Sequence, residues 1–489
     1  AITDEATIDL GASTVSGTYA VTATTGDITD SGNLVITGAA TFITTAAGRS
    51  IILDQLNAFG SHVTMQAGNG SAAFDNITFV DSADVRLHSS AASAGDLFID
   101  AGTNLAVGGD LSITATNGHI TQGAALAITG AATFITATTS KNIILDQNNA
   151  FTSTVTMQAG DGSAAFNNIT FVDSDGVRLH SSAASNGDLF IDAATNLDVD
   201  GNLNITATTG NITQGGALDI EGTTTLVTSG AGADIDLAAN GTGNAFTAHL
   251  LITTNETGSD EDAHVSIDGG TTNLIIGTST IDGDLSLRSG GTITDTDGST
   301  VTVKGTLTAT TDASDRAITL NDLAVDGSFT LSPNGTGAVT IVNDAGLNLA
   351  ASTMGGTFSG TATTGDISDS GTLKITGAAT FITTADGRSI ILDESDSVFT
   401  STVTMQAGDG SADFGNITFV DSAAVRLHTS AQSAGDLYIN ATTDGAVDGN
   451  LSVTASGDIT QTVVLAVTGT TTLVASGNDI TLDTSTNNF

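Results

Sequence analysis

The stretch GDITDSGNLVITGAATFI, residues 26–43, decides the fold, because it returns along the chain with its apolar and turn positions intact. It reappears as GHITQGAALAITGAATFI at 118–135, GNITQGGALDIEGTTTLV at 210–227, GDISDSGTLKITGAATFI at 365–382 and GDITQTVVLAVTGTTTLV at 457–474. Successive starts lie 92, 92, 155 and 92 residues apart. Self-similarity on that scale marks a solenoid or an array, whose units bury their apolar faces against their neighbours. An extended surface, rather than a pocket, is then where function is to be sought.

Working outward from Gly26, the apolar clusters are Ile28, Leu34 to Ile36, Phe42 with Ile43, Ile51 to Leu53, Val63 with Met65, Ile77 with Phe79, Val85 with Leu87, Leu97 with Ile99, Leu105 with Val107, and Leu111 with Ile113. Most are followed within a few residues by Gly, Asn, Asp, Ser or Thr, which favour turns. In VTMQ at 63–66 the apolar residues alternate with polar ones, the period of a half-buried strand. The reading is about ten short strands per module, and no helix of ordinary length.

Composition agrees. The chain has 58 Gly, 1 Pro, no Cys and no Trp, with 39% hydrophobic and 13% charged residues. That is too apolar for a disordered polymer. The abundant Thr, Val and Ile suit a pleated surface better than a helix.

Two architectures stack such strands: a β-helix with three faces per turn, or a string of separate sandwiches. Scarce Asn-Gly hairpin signals, no linker at module boundaries, and too few aromatic residues to seal sandwich cores favour the first. The expectation is an all-β, right-handed parallel β-helix (β-solenoid) of about 20 coils. A coil of about 23 residues gives about four coils per module at the usual parallel-strand spacing.

Three parts are expected in one continuous solenoid: residues 1–229 with two modules and part of a third, a divergent segment 230–342, and residues 343–489 with a further module and the start of another. The middle part holds Pro333, the acidic run NETGSDEDAH at 255–264, and Arg288, Lys304 and Arg316. It is read as drifted coils or as a specialised binding face. Residues Ile8 to Leu10 match Leu347 to Leu349, and 478–489 match 142–151, both in mid-module. Neither end reads as a polar cap, so the chain is expected to be an internal piece of a longer polypeptide.

The formal net charge is −43, from 10 Lys and Arg against 53 Asp and Glu. That argues against a nucleic-acid partner and for a surface that repels its neighbours and collects cations. No apolar run approaches the roughly 20 residues of a membrane-spanning helix. The first residues, AITDEATIDLGAS, have no basic and apolar leader pattern.

The cadence of GNLNITATTGNITQGGALDIEGTTTL at 201–226, repeated with departures at 449–473, resembles the filamentous haemagglutinin-type exoproteins and, more broadly, giant repetitive bacterial surface proteins. The resemblance implies right-handed parallel β-helices, export across the outer membrane, and roles in adhesion, biofilm or contact. The secretion domain of that family has no counterpart in these residues.

The best-defined polar group is VRLH, with Arg86 and His88, repeated at Arg178 and His180 and at Arg426 and His428. Val and Leu on one face leave Arg and His together on the other. Three readings are open: each Arg neutralises carboxylates of its own rod, such as Asp81 or Asp84; the row contacts a neighbouring acidic rod; or it binds an acidic glycan.

Asp recurs as regularly, at Asp54, Asp146 and Asp393, at Asp81, Asp173 and Asp421, and at Asp96, Asp188 and Asp436. These are read as solvated turn residues. Stacked carboxylates sharing Ca²⁺ are the one cofactor reading, with Asp295 and Asp297 of DTDG as its named candidates, although the full calcium-loop pattern is missing. The NIT triplets at Asn76, Asn168 and Asn416 are read as turn asparagines before strands rather than glycosylation acceptors.

No nucleophile elbow, phosphate loop or paired histidines at metal-ligand spacing is present, so the chain is not expected to be an enzyme. The function expected is a structural fibre, filament or stalk segment, extracellular or at the cell surface, that self-associates or bundles with neighbouring rods. Second is an adhesin module binding a glycan or partner surface; third is a polysaccharide-active β-helix enzyme.

Overall fold

Short runs that alternate an inward, mostly apolar residue with an outward Thr, Ser, Asn or Ile become five-residue strands. In Ala40–Thr44, Leu111–Ala115 and Leu203–Ala207 every second side chain is buried and those between are half-buried. A computed structural model describes residues 1–68, 75–99, 105–161, 167–191, 197–239, 243–255, 262–408, 415–428, 430, 432–439, 446–484 and 486–489. The elements among these described residues are β-strands. They form a β-solenoid of about 20 turns, in two units: Ala1–Ala248 with Asn255–Thr257, and His249–Thr254 with Gly258–Phe489.

In the first unit a turn has three strands. Tyr19–Ala23, Ile28–Asp30 and Leu34–Ile36 make one turn, and Ala40–Thr44, Ile51–Leu53 and Ala58–Phe59 the next. Each strand pairs in parallel with its counterpart in the adjoining turn: Val21 with Phe42, Ile28 with Ile51, Ile36 with Phe59. The steps there are 21 and 23 residues, close to the expected coil. One step per module is longer, because Val63 pairs with Leu97 and Ile77 with Leu111, each 34 residues on.

The long step changes how modules stack. Along one face, Ile77 pairs with Leu111, Leu111 with Ala132 and Ala132 with Val155. Three turns thus end at Val155, whereas the module copy of Ile77 is Ile169, which pairs with Ile143 and Leu203 on another face. A module is therefore three turns and one face, not four coils. Equivalent strands of successive modules lie on successive faces.

The second unit is built the same way. Val265 pairs with Leu285, Leu285 with Leu307 and Leu307 with Phe329, so residues 262–342 make ordinary turns despite their drifted sequence. Of the acidic run at 255–264, residues 256–261 lie outside the described residues.

Phenylalanines line the core in chains that repeat with the module. Phe42 and Phe59 meet edge to face at 6.1 Å, and Phe59 stacks on Phe79 at 5.2 Å. Phe134, Phe151 and Phe171 repeat this at 6.2 and 5.3 Å. Such pairs add about 0.5–1.5 kcal/mol each beyond burial.

Glycine sets the closest approach between turns. Gly305 donates its N–H to the Gly283 carbonyl at 3.1 Å, and Gly327 donates to Gly305 at 3.2 Å. A Cβ on Gly327 would lie 2.3 Å from the Gly305 carbonyl oxygen. Gly327→Val is expected to destabilise the second unit by about 1–3 kcal/mol, the cost of overpacking. An unchanged denaturant midpoint would contradict this close stacking.

Candidate functional site

In Val85–Leu87 the two apolar side chains point inward and fix Arg86 outward. The strand that follows, Asp96–Ile99, lies beside it in parallel, with Arg86 opposite Asp96. Gly95 makes the turn into that strand at φ 85°, a left-handed conformation glycine adopts without steric cost, and its carbonyl accepts the Arg86 N–H at 2.8 Å. Arg86 Nε and Nη2 reach Asp96 Oδ1 at 2.7 and 2.6 Å. The other carboxylate oxygen accepts the N–H groups of Ser93 at 2.8 Å and Ala92 at 3.2 Å.

This clip recurs. Arg178 meets Asp188 at 2.6 Å, with Ser185 and Ala184 on Oδ2. Arg426 meets Asp436 at 2.6 Å, with Ser433 and Gln432 on Oδ2. The arginine side chains are 44, 41 and 40% exposed and the aspartates 0%. Burial pushes the Asp96 carboxyl up, but the Ser93 N–H, the Arg86 guanidinium and the Ala92 N–H together hold it below the usual carboxylate range. Asp188 and Asp436 are held low in the same way.

The partner of each arginine is therefore Asp96, Asp188 or Asp436. Asp84 instead accepts the N–H of His119. Asp81 is buried and accepts the N–H of Phe59 at 3.1 Å. Of the three aspartate sets expected to be solvated turns, only Asp54, Asp146 and Asp393 are exposed. Desolvation pushes Asp81 and Asp173 up to about 6, against the pull of the Phe59 and Phe151 N–H groups.

The histidines close their own connecting segments. His88 Nδ1 takes the Ser90 N–H at 3.2 Å, and His180 and His428 take those of Ser182 and Ser430 at 3.1 Å. The His88 ring lies against Gly123 and the His180 ring against Gly215, where a Cβ would come within 2.2 and 1.9 Å of ring carbon Cδ2.

Arg86 and Arg178 do not line up along one face. The strand of Arg86 stacks under Ile120–Gln122, and that of Arg178 under Ile212–Gln214, in separate stacks. The expected row is instead a pair of sites on successive faces. Beside Arg178 lies an open cleft of about 460 Å³ lined by Gly176, Asn186, Gly187, Asn211 and Thr213.

Asp295 is buried, and its Oδ2 accepts the N–H groups of Asn321 and Asp322 at 2.7 Å each. Asp297 is exposed. Among the described residues no group of three or more His, Asp or Glu is placed to hold a metal ion. Asp295 thus joins its own turn to the backbone of the next. In the divergent segment, Arg288 Nε bonds Asp312 at 2.9 Å and Lys304 meets Asp282, so both cations join neighbouring turns.

A polar ladder outside the core escaped the sequence reading. Asp84 Oδ1 accepts the His119 N–H at 2.8 Å, His119 Nδ1 that of Asn142 at 3.0 Å, Asn142 Oδ1 that of Asn168 at 3.2 Å, and Asn168 Oδ1 that of Asn202 at 2.8 Å. In the second unit Asp366, Ser389, Asn416 and Asn450 do the same. Backbone donors at the corners thus find partners in the turn below. The NIT asparagines Asn168 and Asn416 are rungs of these ladders, and Asn76 bonds the Asp110 N–H likewise. The available signal was an Asn, Asp or His just before a strand, recurring once per turn.

No curated protein and no solved structure matches the chain. Six segments, residues 1–66, 90–158, 184–253, 262–334, 336–406 and 414–489, match a family described as repeats of unknown function (DUF5649). The chain belongs to that family of repeats.

Proposed function

We propose that the protein is a structural, non-catalytic segment of an extracellular bacterial surface fibre, filament or stalk, in the manner of the filamentous haemagglutinin-type exoproteins. The observation that carries this reading is the continuity of support between turns. Parallel strand pairing, corner ladders and phenylalanine chains each join a turn to the next, as stiffness along a fibre requires. The acidic surface limits indiscriminate clumping.

Negative-stain images of the full-length protein should show long fibres of uniform width. Compact, monodisperse particles would overturn the proposal. An adhesive role is the second reading, supported by the half-exposed guanidinium of Arg178 beside an open cleft. It requires glycan-array binding that disappears when Arg86, Arg178 and Arg426 are replaced by Gln.

A further inference from the structure

We infer that the arginine clips are lateral contact points for carboxylates of neighbouring copies of this chain, and that the placement of Arg86 and Arg178 on successive faces ties each copy to more than one neighbour. This rests on the fibre reading above and adds how fibres are held side by side.

Charge is the first argument. Each clip keeps its carboxylate out of water and leaves its guanidinium 40–44% exposed, so the surface meets the positive partner and not the negative one. On a chain with 53 acidic and 10 basic residues such a spot is rare, and a second copy offers abundant carboxylates to meet it. Guanidinium groups bind carboxylates through a planar fork of N–H donors. Asp96 Oδ1 receives Nε and Nη2, and the Arg86 side chain is still 44% exposed.

Phase is the second argument. Arg86 and Arg178 are one module apart and belong to the separate stacks of Ile120–Gln122 and Ile212–Gln214. The exposed carboxylates Asp54 and Asp146 advance in the same way. Asp54 follows Ile51–Leu53, which stacks on Ile77, whereas Asp146 follows Ile143, which stacks between Ile120 and Ile169. Donor and acceptor points therefore turn together, one face per module. Two sites on one face would join rods into pairs or flat ribbons, whereas sites on successive faces point to different neighbours and build a bundle.

The test is sedimentation velocity and small-angle scattering of the purified chain over a concentration series at about 0.15 M salt, where charges beyond about 8 Å are screened. Wild type should associate laterally as concentration rises. The Arg86→Gln, Arg178→Gln, Arg426→Gln variant should associate about tenfold or more weakly, since exposed ion contacts are individually modest and act here in number. Because the glutamines leave buried aspartates without a cation, a second variant also carries Asp96→Asn, Asp188→Asn and Asp436→Asn, which restores a neutral pair; it too should associate weakly while its circular dichroism stays that of the folded wild type.

Arg86→Gln or Arg178→Gln alone should thin the assemblies without abolishing them. Wild type that stays monomeric, a triple variant that associates like wild type, or clips that bind an acidic polysaccharide in place of a second copy would each overturn the inference. Single, unbundled fibres of normal length from the triple variant of the full-length protein would support it, since lateral association then fails while the fibre itself survives. Compact particles from the wild-type full-length protein would strike the fibre reading itself.

Discussion

Replacing Phe59 with alanine is expected to destabilise the turns around it by about 3–5 kcal/mol, the range for removing a buried aromatic side chain. Phe59 sits between two other rings, edge to face with Phe42 and stacked on Phe79. Truncation opens a cavity and breaks both ring pairs at once. In a solenoid each turn leans only on its neighbours, so the damage should stay local. Hydrogen exchange should show reduced protection in Ala40–Thr44, Ala58–Phe59 and Ile77–Asp81, with Leu203–Ala207 unaffected. A loss below about 1 kcal/mol, or one spread evenly over the chain, would contradict the stacked core.

The second large effect is that of pH, and it runs against the usual expectation that acid weakens a fold. Burial lifts Asp81, Asp173 and Asp369 to about 6 and raises Asp421, whereas Asp96, Asp188 and Asp436 are held low. A raised carboxyl binds its proton more tightly in the folded state. Its stabilising share is complete below the unfolded value of 3.8 and is lost as pH rises through about 6. The lowered carboxyls act the other way: their share is present above 3.8 and is lost as pH falls through their folded values.

Stability should therefore rise between pH 8 and about 5 and fall again below about 4. Each strongly raised aspartate contributes on the order of 1 kcal/mol to that rise by pH 5, at about 1.4 kcal/mol per pH unit. Calorimetry of Asp81→Asn and Asp173→Asn checks this directly. Both variants should be more stable than wild type at pH 7.5 and should lose much of the gain on acidification. If either is less stable at pH 7.5, the buried carboxylate is doing something the desolvation argument misses.

The fold was legible because alternation and turn residues recur together. Leu34 to Ile36 and Ile51 to Leu53 became strands as their patterns require. Ala58–Phe59 did not announce itself, since two residues carry no period, yet its ring is central to the core. The outward placement of Arg86 followed from Val85 and Leu87. Its partner did not, because the connection from His88 to Gly95 brings Asp96 alongside, and its course depends on a glycine turn rather than on periodicity.

The largest difference has the same origin. Four coils of about 23 residues would fill the module and place every VRLH on one face. The 34-residue step from Ile77 to Leu111 uses up part of that length, so the module closes one face late. Hydrophobic spacing records where strands are and not how far the chain wanders between them. The buried aspartates were misread for a related reason: Asp81 ends a strand in sequence like a turn residue, but its side chain points inward on the alternation of Ile77 and Phe79.

The rotation of one face per module is the claim on which the placement of the clips and the bundle both depend. Cryo-electron microscopy of fibres of the full-length protein tests it most directly. Maps should show turns about 4.8 Å apart, with the Arg86 and Arg178 clips on successive faces. Separate globular modules along the fibre, or both clips in one row on one face, would refute the rotation.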